Sequence, residues 1–214
     1  MKAYIFDLDG TIANTLEDLT CAINLMLVEY SFPIFTLEEI KAKIGNGARN
    51  LVMRSLPEEV REDSAFVDKA MKTYQNFYSE HCLDKVCLYS GVEQVLRQLK
   101  TDGKQLAIIT NKDNNHAKMI IDKLVPNTFD IVLGFRDDFP HKPSPESTNW
   151  VMEKLGVKKE ETVFIGDSPV DIKTARNAGV LSVGVDWGFV DLKSVSELER
   201  PDVIITKAEE LLFI

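Results

Sequence analysis

The chain of 214 residues is 44% apolar and 28% charged, the balance of an ordinary globular protein with room for one large domain or a domain plus a smaller one. Its formal net charge of −9 argues against a surface that neutralises a nucleic-acid backbone, although a pocket can still be locally positive. No run approaches the ~20 apolar residues of a membrane span, so neither nucleic acid nor membrane is expected as a partner.

The first element is the apolar run Ala3-Tyr4-Ile5-Phe6, which stops at Asp7-Leu8-Asp9-Gly10-Thr11 and reads as a buried strand breaking into a tight turn. Asp7 and Asp9 fall where the apolar part of a leader would be, so no signal peptide is expected. Strand alternation sends both acids to one side and Leu8 to the other. Two such carboxylates either share a divalent cation or drive one pKa sharply upward. Gly10 suits a turn with positive φ. From 14 to 83 the pattern is helical. Leu16, Leu19, Ile23, Met26, Leu27 and Tyr30 keep helical spacing, and Thr36 with Glu39 makes a capping box before Ile40. Gly45-Asn46-Gly47 interrupts, 48–56 forms a short helix ending at Pro57, and Val67, Ala70, Met71, Tyr74, Phe77 and Tyr78 mark one face of a long helix. Cys21, Cys82 and Cys87 are sparse and lack metal-ligand spacing, which points to a reducing, cytoplasmic setting.

Beyond 83 helices and strands alternate. Val92, Val95, Leu96 and Leu99 make a helix closed near Gly103, and 106–109 is a strand ending in Thr110-Asn111. A helix over 114–124, a strand over 130–133, a helix over 144–155 and a strand over 162–165 follow. The helix 169–178 opens on Pro169 at the tolerated first turn, and strands at 181–185 and 203–205 end the series. Alternation of this length predicts an α/β fold with a parallel sheet. The helical block reads as an insertion, giving one domain from 1–14 with 84–214 and a second over 15–83.

Four polar clusters fall at strand ends or in loops on one predicted edge: Asp7 with Asp9, Thr110 with Asn111, Lys142 in His141-Lys142-Pro143, and Asp167 with Asp171 in Gly166-Asp167-Ser168-Pro169-Val170-Asp171. Ligands of open α/β sheets collect at that edge. A carboxylate-rich oxygen site suits Mg²⁺, which keeps several waters and favours a substrate phosphate as partner. Lys142 is then either a counter-charge for a phosphate or a clamp on a carboxylate. Thr110 and Asn111 can donate to phosphate oxygens.

Taken in order, Asp7-Leu8-Asp9-Gly10-Thr11, Thr110, Lys142-Pro143 and Gly166 to Asp171 resemble the four motifs of the haloacid dehalogenase superfamily, and the resemblance spans the whole chain. It implies a Rossmann-like parallel sheet core flanked by helices, with the all-helical insert as a C1 cap. Ile44-Gly45-Asn46-Gly47-Ala48-Arg49 is similar to the specificity loop of phosphoglycolate phosphatases, and Trp187-Gly188-Phe189 to a segment those enzymes carry after the fourth motif. The resemblance further implies Asp7 as nucleophile and Asp9 as acid and base. It implies Mg²⁺ held by Asp7, the Asp9 carbonyl and Asp167, with Asp171 behind them. Gly10, Thr110, Asn111 and Lys142 would sit on the phosphate, and Gly45, Asn46, Gly47 and Arg49 would read the substrate. The expected substrate is a small phosphorylated metabolite, and the expected state a monomer or homodimer.

The same residues admit other readings. A calcium loop beginning at Asp7 would need Gly and Glu where Ile12 and Asp18 stand. Gly45-Asn46-Gly47 could be a plain turn, Arg49 a solvated helix residue, and Trp187 simple packing. His81, His116 and His141 show no ligand-like spacing. A phosphomutase, a pyrophosphatase or a non-catalytic phosphate-binding module would use the same motifs differently.

Overall fold

The computed structural model describes Met1–Ile214. Strand β1 (Ala3–Phe6) is followed by a turn and a two-residue strand β2 (Ala13–Asn14). Five helices come next: α1 (Leu16–Glu29), α2 (Leu37–Lys41), α3 (Ala48–Ser55), α4 (Glu58–Arg61) and α5 (Ser64–His81). The chain returns through β3 (Cys87–Leu88) to α6 (Val92–Thr101), β4 (Gln105–Asp113), α7 (Asn114–Leu124) and β5 (Ile131–Phe135). It ends with α8 (Glu146–Leu155), β6 (Thr162–Gly166), α9 (Pro169–Ala178), β7 (Leu181–Val185) and β8 (Val203–Ile205).

Two compact units result: Met1–Asn14 with Cys87–Ile214, and Thr15–Val86. In the first, six strands pair in the order β5-β4-β1-β6-β7-β8, and every pairing is parallel. All four β1 residues are buried, as a central strand covered on both faces requires. Ile5 packs with Ala107, Ile109, Leu133, Phe164 and residues of α8 and α9. Burying each such large side chain stabilises by roughly 1.5–3 kcal/mol, so the position of β1 is strongly fixed. Because β4 and β6 lie on opposite sides of β1, the strand order reverses there, and the carboxyl ends of these three strands surround the switch point where ligands bind in open α/β sheets.

The second unit is all helical. The capping box at Thr36 forms as expected: Thr36 Oγ1 accepts from the Glu39 N–H at 3.3 Å, and the Thr36 N–H donates to Glu39 Oε2 at 2.7 Å. Asp63 caps α5 by accepting from Ala65 and Phe66. The buried Asp18 carboxylate accepts the N–H groups of Lys85 and Val86 at 2.9 and 3.0 Å, which ties those residues to α1. That tie explains why the return to the sheet unit comes at Cys87 rather than at residue 84.

Several boundaries differ from the sequence reading. β4 continues past Ile109 to Asp113, so Thr110 and Asn111 lie within it, with a register shift against β5 after Ile109. α8 starts at Glu146 instead of 144, after Pro145. The antiparallel β2–β3 pair and the short helix α4 were not expected, being too brief to show periodicity.

Candidate active site

Asp7 is the first residue beyond β1, and its N–H extends the ladder by donating to the Ile165 carbonyl at 2.8 Å. Asp167 is likewise the first residue beyond its strand, β6, and Asp171 lies in the first turn of α9. There a capping box holds Asp171, whose Oδ2 accepts from Ser168 N–H and Oγ at 3.1 and 2.6 Å. Asp167 Oδ2 accepts the Phe189 N–H at 2.7 Å. One oxygen from each of Asp7, Asp167 and Asp171 lies within 4.8 Å of the others, and all three residues are buried.

Lys142 enters this cluster from the loop before α8. Its Nζ is 2.8 Å from Asp7 Oδ1 and 2.6 Å from Asp171 Oδ1, making it a clamp on carboxylates in this state. Asn111 fixes the root of that lysine: its Nδ2 donates to the Lys142 carbonyl at 3.1 Å and its Oδ1 accepts the Lys142 N–H at 2.8 Å. The Asn111 amide is thus engaged with main chain through Oδ1 and one N–H of Nδ2. Thr110 is buried at the same edge, and its hydroxyl accepts the Lys112 N–H at 3.2 Å.

The electrostatics follow from burial. Burial pushes the Asp7 carboxyl up to about 6, against the pull of Lys142 and with the help of Asp171. Burial, then Asp171 and Asp7, lift Asp167 well above the ordinary carboxylate range. Burial alone would lower the Lys142 pKa, but Asp171 and Asp7 more than reverse it and keep the ammonium charged. Three carboxylates against one ammonium leave this pocket with excess negative potential. Asp7 Oδ1, moreover, has no donor in hydrogen-bonding alignment, only the ammonium at ion-pair distance. An all-oxygen, over-acidic, buried donor set fits a hard divalent cation.

Glycines make the space for these acids. Gly10 has φ +81°, and a Cβ there would lie 2.2 Å from Asp167 Oδ2. A Cβ on Gly188 would lie 2.2 Å from the Asp167 Cβ, so backbone approaches that carboxylate from both sides. Trp187 donates Nε1–H to the Thr11 carbonyl at 3.1 Å and its ring centroid lies 6.4 Å from that of Tyr89, which makes it a packing residue of the turn after β1.

Asp9 has a separate environment. Both of its oxygens accept from Lys112 Nζ, at 2.9 and 3.0 Å, and the lysine side chain is 6% exposed. Sequence reasoning missed Lys112. The available signal was its place two residues beyond Thr110, on the same alternating face of a strand beside β1.

The remaining expected site residues lie in the helical unit. Gly45, Asn46 and Gly47 all have positive φ, at 130°, 60° and 84°, between α2 and α3. Arg54 Nη1 donates to the carbonyls of Lys43 and Gly45 at 3.0 and 3.1 Å and holds the turn. Arg49 pairs with Asp68, both being exposed.

Comparison with known proteins agrees with this architecture. The family model for haloacid dehalogenase-like hydrolases matches residues 4–185. A phosphoglycolate phosphatase of Pseudomonas putida is 34% identical over 99% of this chain and 78% of its own length. One from Vibrio parahaemolyticus is 32% identical over 99% of this chain and 95% of its own. A crystal structure of a candidate phosphoglycolate phosphatase from Lactobacillus delbrueckii subsp. bulgaricus superposes with a TM-score of 0.91 at 32% identity, covering 98% of this chain and 96% of that one. The chain belongs to the haloacid dehalogenase-like hydrolase family, and with such relatives it is a phosphatase within it.

Proposed function

We propose that the protein is a Mg²⁺-dependent phosphatase of a small phosphorylated metabolite, with 2-phosphoglycolate as the first substrate to test, acting in the cytoplasm. The observation that carries this reading is the convergence of buried Asp7, Asp167 and Asp171 on one point beside the Lys142 ammonium. Asp7, Asp167 and the Asp9 carbonyl would hold the metal, with Asp171 anchoring Lys142. Bound there, Mg²⁺ would supply charge to offset repulsion between an anionic nucleophile and an anionic phosphate.

The protein groups divide the chemistry as follows. An Asp7 oxygen attacks phosphorus as the bond from phosphorus to the leaving oxygen breaks, giving an aspartyl-phosphate. Asp9 gives its proton to that leaving oxygen. Water then attacks phosphorus, Asp9 takes its proton, and the bond to Asp7 breaks to release phosphate. Thr110, whose hydroxyl proton is left to donate once the oxygen accepts from Lys112, and Lys142 hold the phosphoryl oxygens, with Gly10 keeping the turn close. Asn111 acts by keeping Lys142 in register. The helical unit serves as a cap, with Gly45, Asn46, Gly47 and Arg49 reading the rest of the substrate.

The test is phosphate release from a panel of phosphorylated metabolites, with and without Mg²⁺, by wild type and Asp7→Asn. Release should require Mg²⁺ and should fall by roughly a thousandfold or more in the variant, with the circular dichroism spectrum unchanged. Near-wild-type turnover by Asp7→Asn would reject the nucleophile assignment.

A further inference from the structure

We infer that Lys112 is the positioning residue for Asp9, holding its carboxylate at the strand edge where it can serve the leaving oxygen. The inference rests on the proposed function for the role of Asp9, and on geometry for everything else.

The Lys112 side chain is 6% exposed, and an ammonium so withdrawn from water persists only with a counter-charge. Here that charge is the Asp9 carboxylate, engaged through both oxygens at nearly equal distances of 2.9 and 3.0 Å. Two contacts hold the Asp9 carboxylate against the ammonium, so the lysine sets where that side chain stands. The base of the lysine is fixed as well, because its N–H donates to the Thr110 hydroxyl within β4. β4 lies directly beside β1, with Ile108 opposite Phe6, so the two strands deliver Lys112 and Asp9 to the same edge. The two buried lysines therefore have different charges to keep: Lys142 stands between Asp7 and Asp171, and Lys112 stands on Asp9. Misplacing a proton donor by about 1 Å can lower a rate on the order of 100-fold, so the fixing of Asp9 bears directly on turnover.

The role has a signature that general destabilisation lacks. Proton donation matters most when the leaving group is a strongly basic alkoxide and least when it is a weakly basic phenolate. The constant to read is kcat/KM, which covers the steps up to release of the leaving group and omits hydrolysis of the phosphoenzyme if that release is irreversible. Wild type, Lys112→Met, Lys112→Arg and Asp9→Asn are compared on 2-phosphoglycolate and on p-nitrophenyl phosphate with Mg²⁺ present. Asp9→Asn should lower the alkyl-to-aryl ratio of kcat/KM on the order of 100-fold, and Lys112→Met on the order of 10-fold. Lys112→Arg, which restores a cation, should recover most of the ratio. If Lys112→Met keeps the wild-type ratio, whether both constants fall together or neither does, the inference is wrong. If Lys112→Met does not fold, Lys112→Arg and Lys112→Gln decide by the same ratio. Should Asp9→Asn itself leave the ratio unchanged, Asp9 is not the acid and the inference falls with it. Mg²⁺-dependent phosphate release that Asp7→Asn abolishes would still stand in that case.

Discussion

The acid cluster behind β1 and β6 and the turn at residues 45–49 are both polar, both built around glycines, and physically opposite. In the first, three carboxylates and an ammonium are buried, and each is held by main chain or by another charge. Glycines there make room for side chains that nearly touch the backbone. In the second, glycines and Asn46 supply the backbone conformation itself, and the one charged pair, Arg49 with Asp68, is exposed. A buried charge cluster is costly to keep, so its geometry records what it must bind; an exposed turn costs little and records far less.

The largest effect that sharpens the contrast is expected at Asp167. Its carboxyl is lifted by burial and by two neighbouring acids, so the metal-free fold carries it at a cost. If Asp167 holds the metal as proposed, Asp167→Asn should lower kcat on the order of a thousandfold. The same variant should melt several degrees higher than wild type in EDTA and gain less from added Mg²⁺. A lower melting temperature in EDTA would mean that the cluster is a stabilising network in its own right.

The next effect is a pH dependence. An unfolded aspartate releases its proton near 4, whereas burial lifts Asp7 to about 6. Between these values the folded chain binds the extra proton, so this contribution is favourable at low pH and is lost as pH rises through the window. Metal-free wild type should therefore lose several degrees of melting temperature relative to Asp7→Asn between about pH 4 and 7. Saturating Mg²⁺ should shrink the difference; an identical slope for both proteins would place the strain elsewhere. Smaller still is Gly188→Ala, whose Cβ would sit 2.2 Å from that of Asp167. Overpacking of this kind costs about 1–3 kcal/mol, and displacing the proposed metal ligand should weaken Mg²⁺ by roughly 10- to 100-fold, read by titration against thermal stability.

The same contrast explains what the sequence made legible. The parallel sheet was readable because apolar runs ending in Asp7 and Asp167 carry both a strand signal and a strand-end signal. Positive φ at Gly10 followed from the turn alone. Lys112 was invisible because a lysine in a polar stretch looks the same whether buried or solvated, and only the register of β4 against β1 puts it on Asp9. The anchoring of Lys142 by Asn111 is hidden for a related reason: the partner is main chain 31 residues away, and main chain has no sequence signature. The tie from Asp18 to Lys85 and Val86, which moves the unit boundary, is hidden in the same way.

The smallest effect separates fold from specificity at Arg49. Its pair with Asp68 has side chains 54% and 60% exposed, and exposed pairs of this kind couple by about 0–1 kcal/mol. A double-mutant cycle of Arg49→Ala and Asp68→Ala, read by urea unfolding, should return a coupling below about 1 kcal/mol that weakens further in salt. If Arg49 reads a substrate carboxylate, Arg49→Ala should raise KM for 2-phosphoglycolate several-fold more than for p-nitrophenyl phosphate, which has no second anion to lose. Asp68→Ala should leave that preference standing or strengthen it, since it frees the guanidinium. Equal KM changes on both substrates in Arg49→Ala would reduce the residue to a solvated helix face, and the contrast with the acid cluster would then be one between a site and its scaffold.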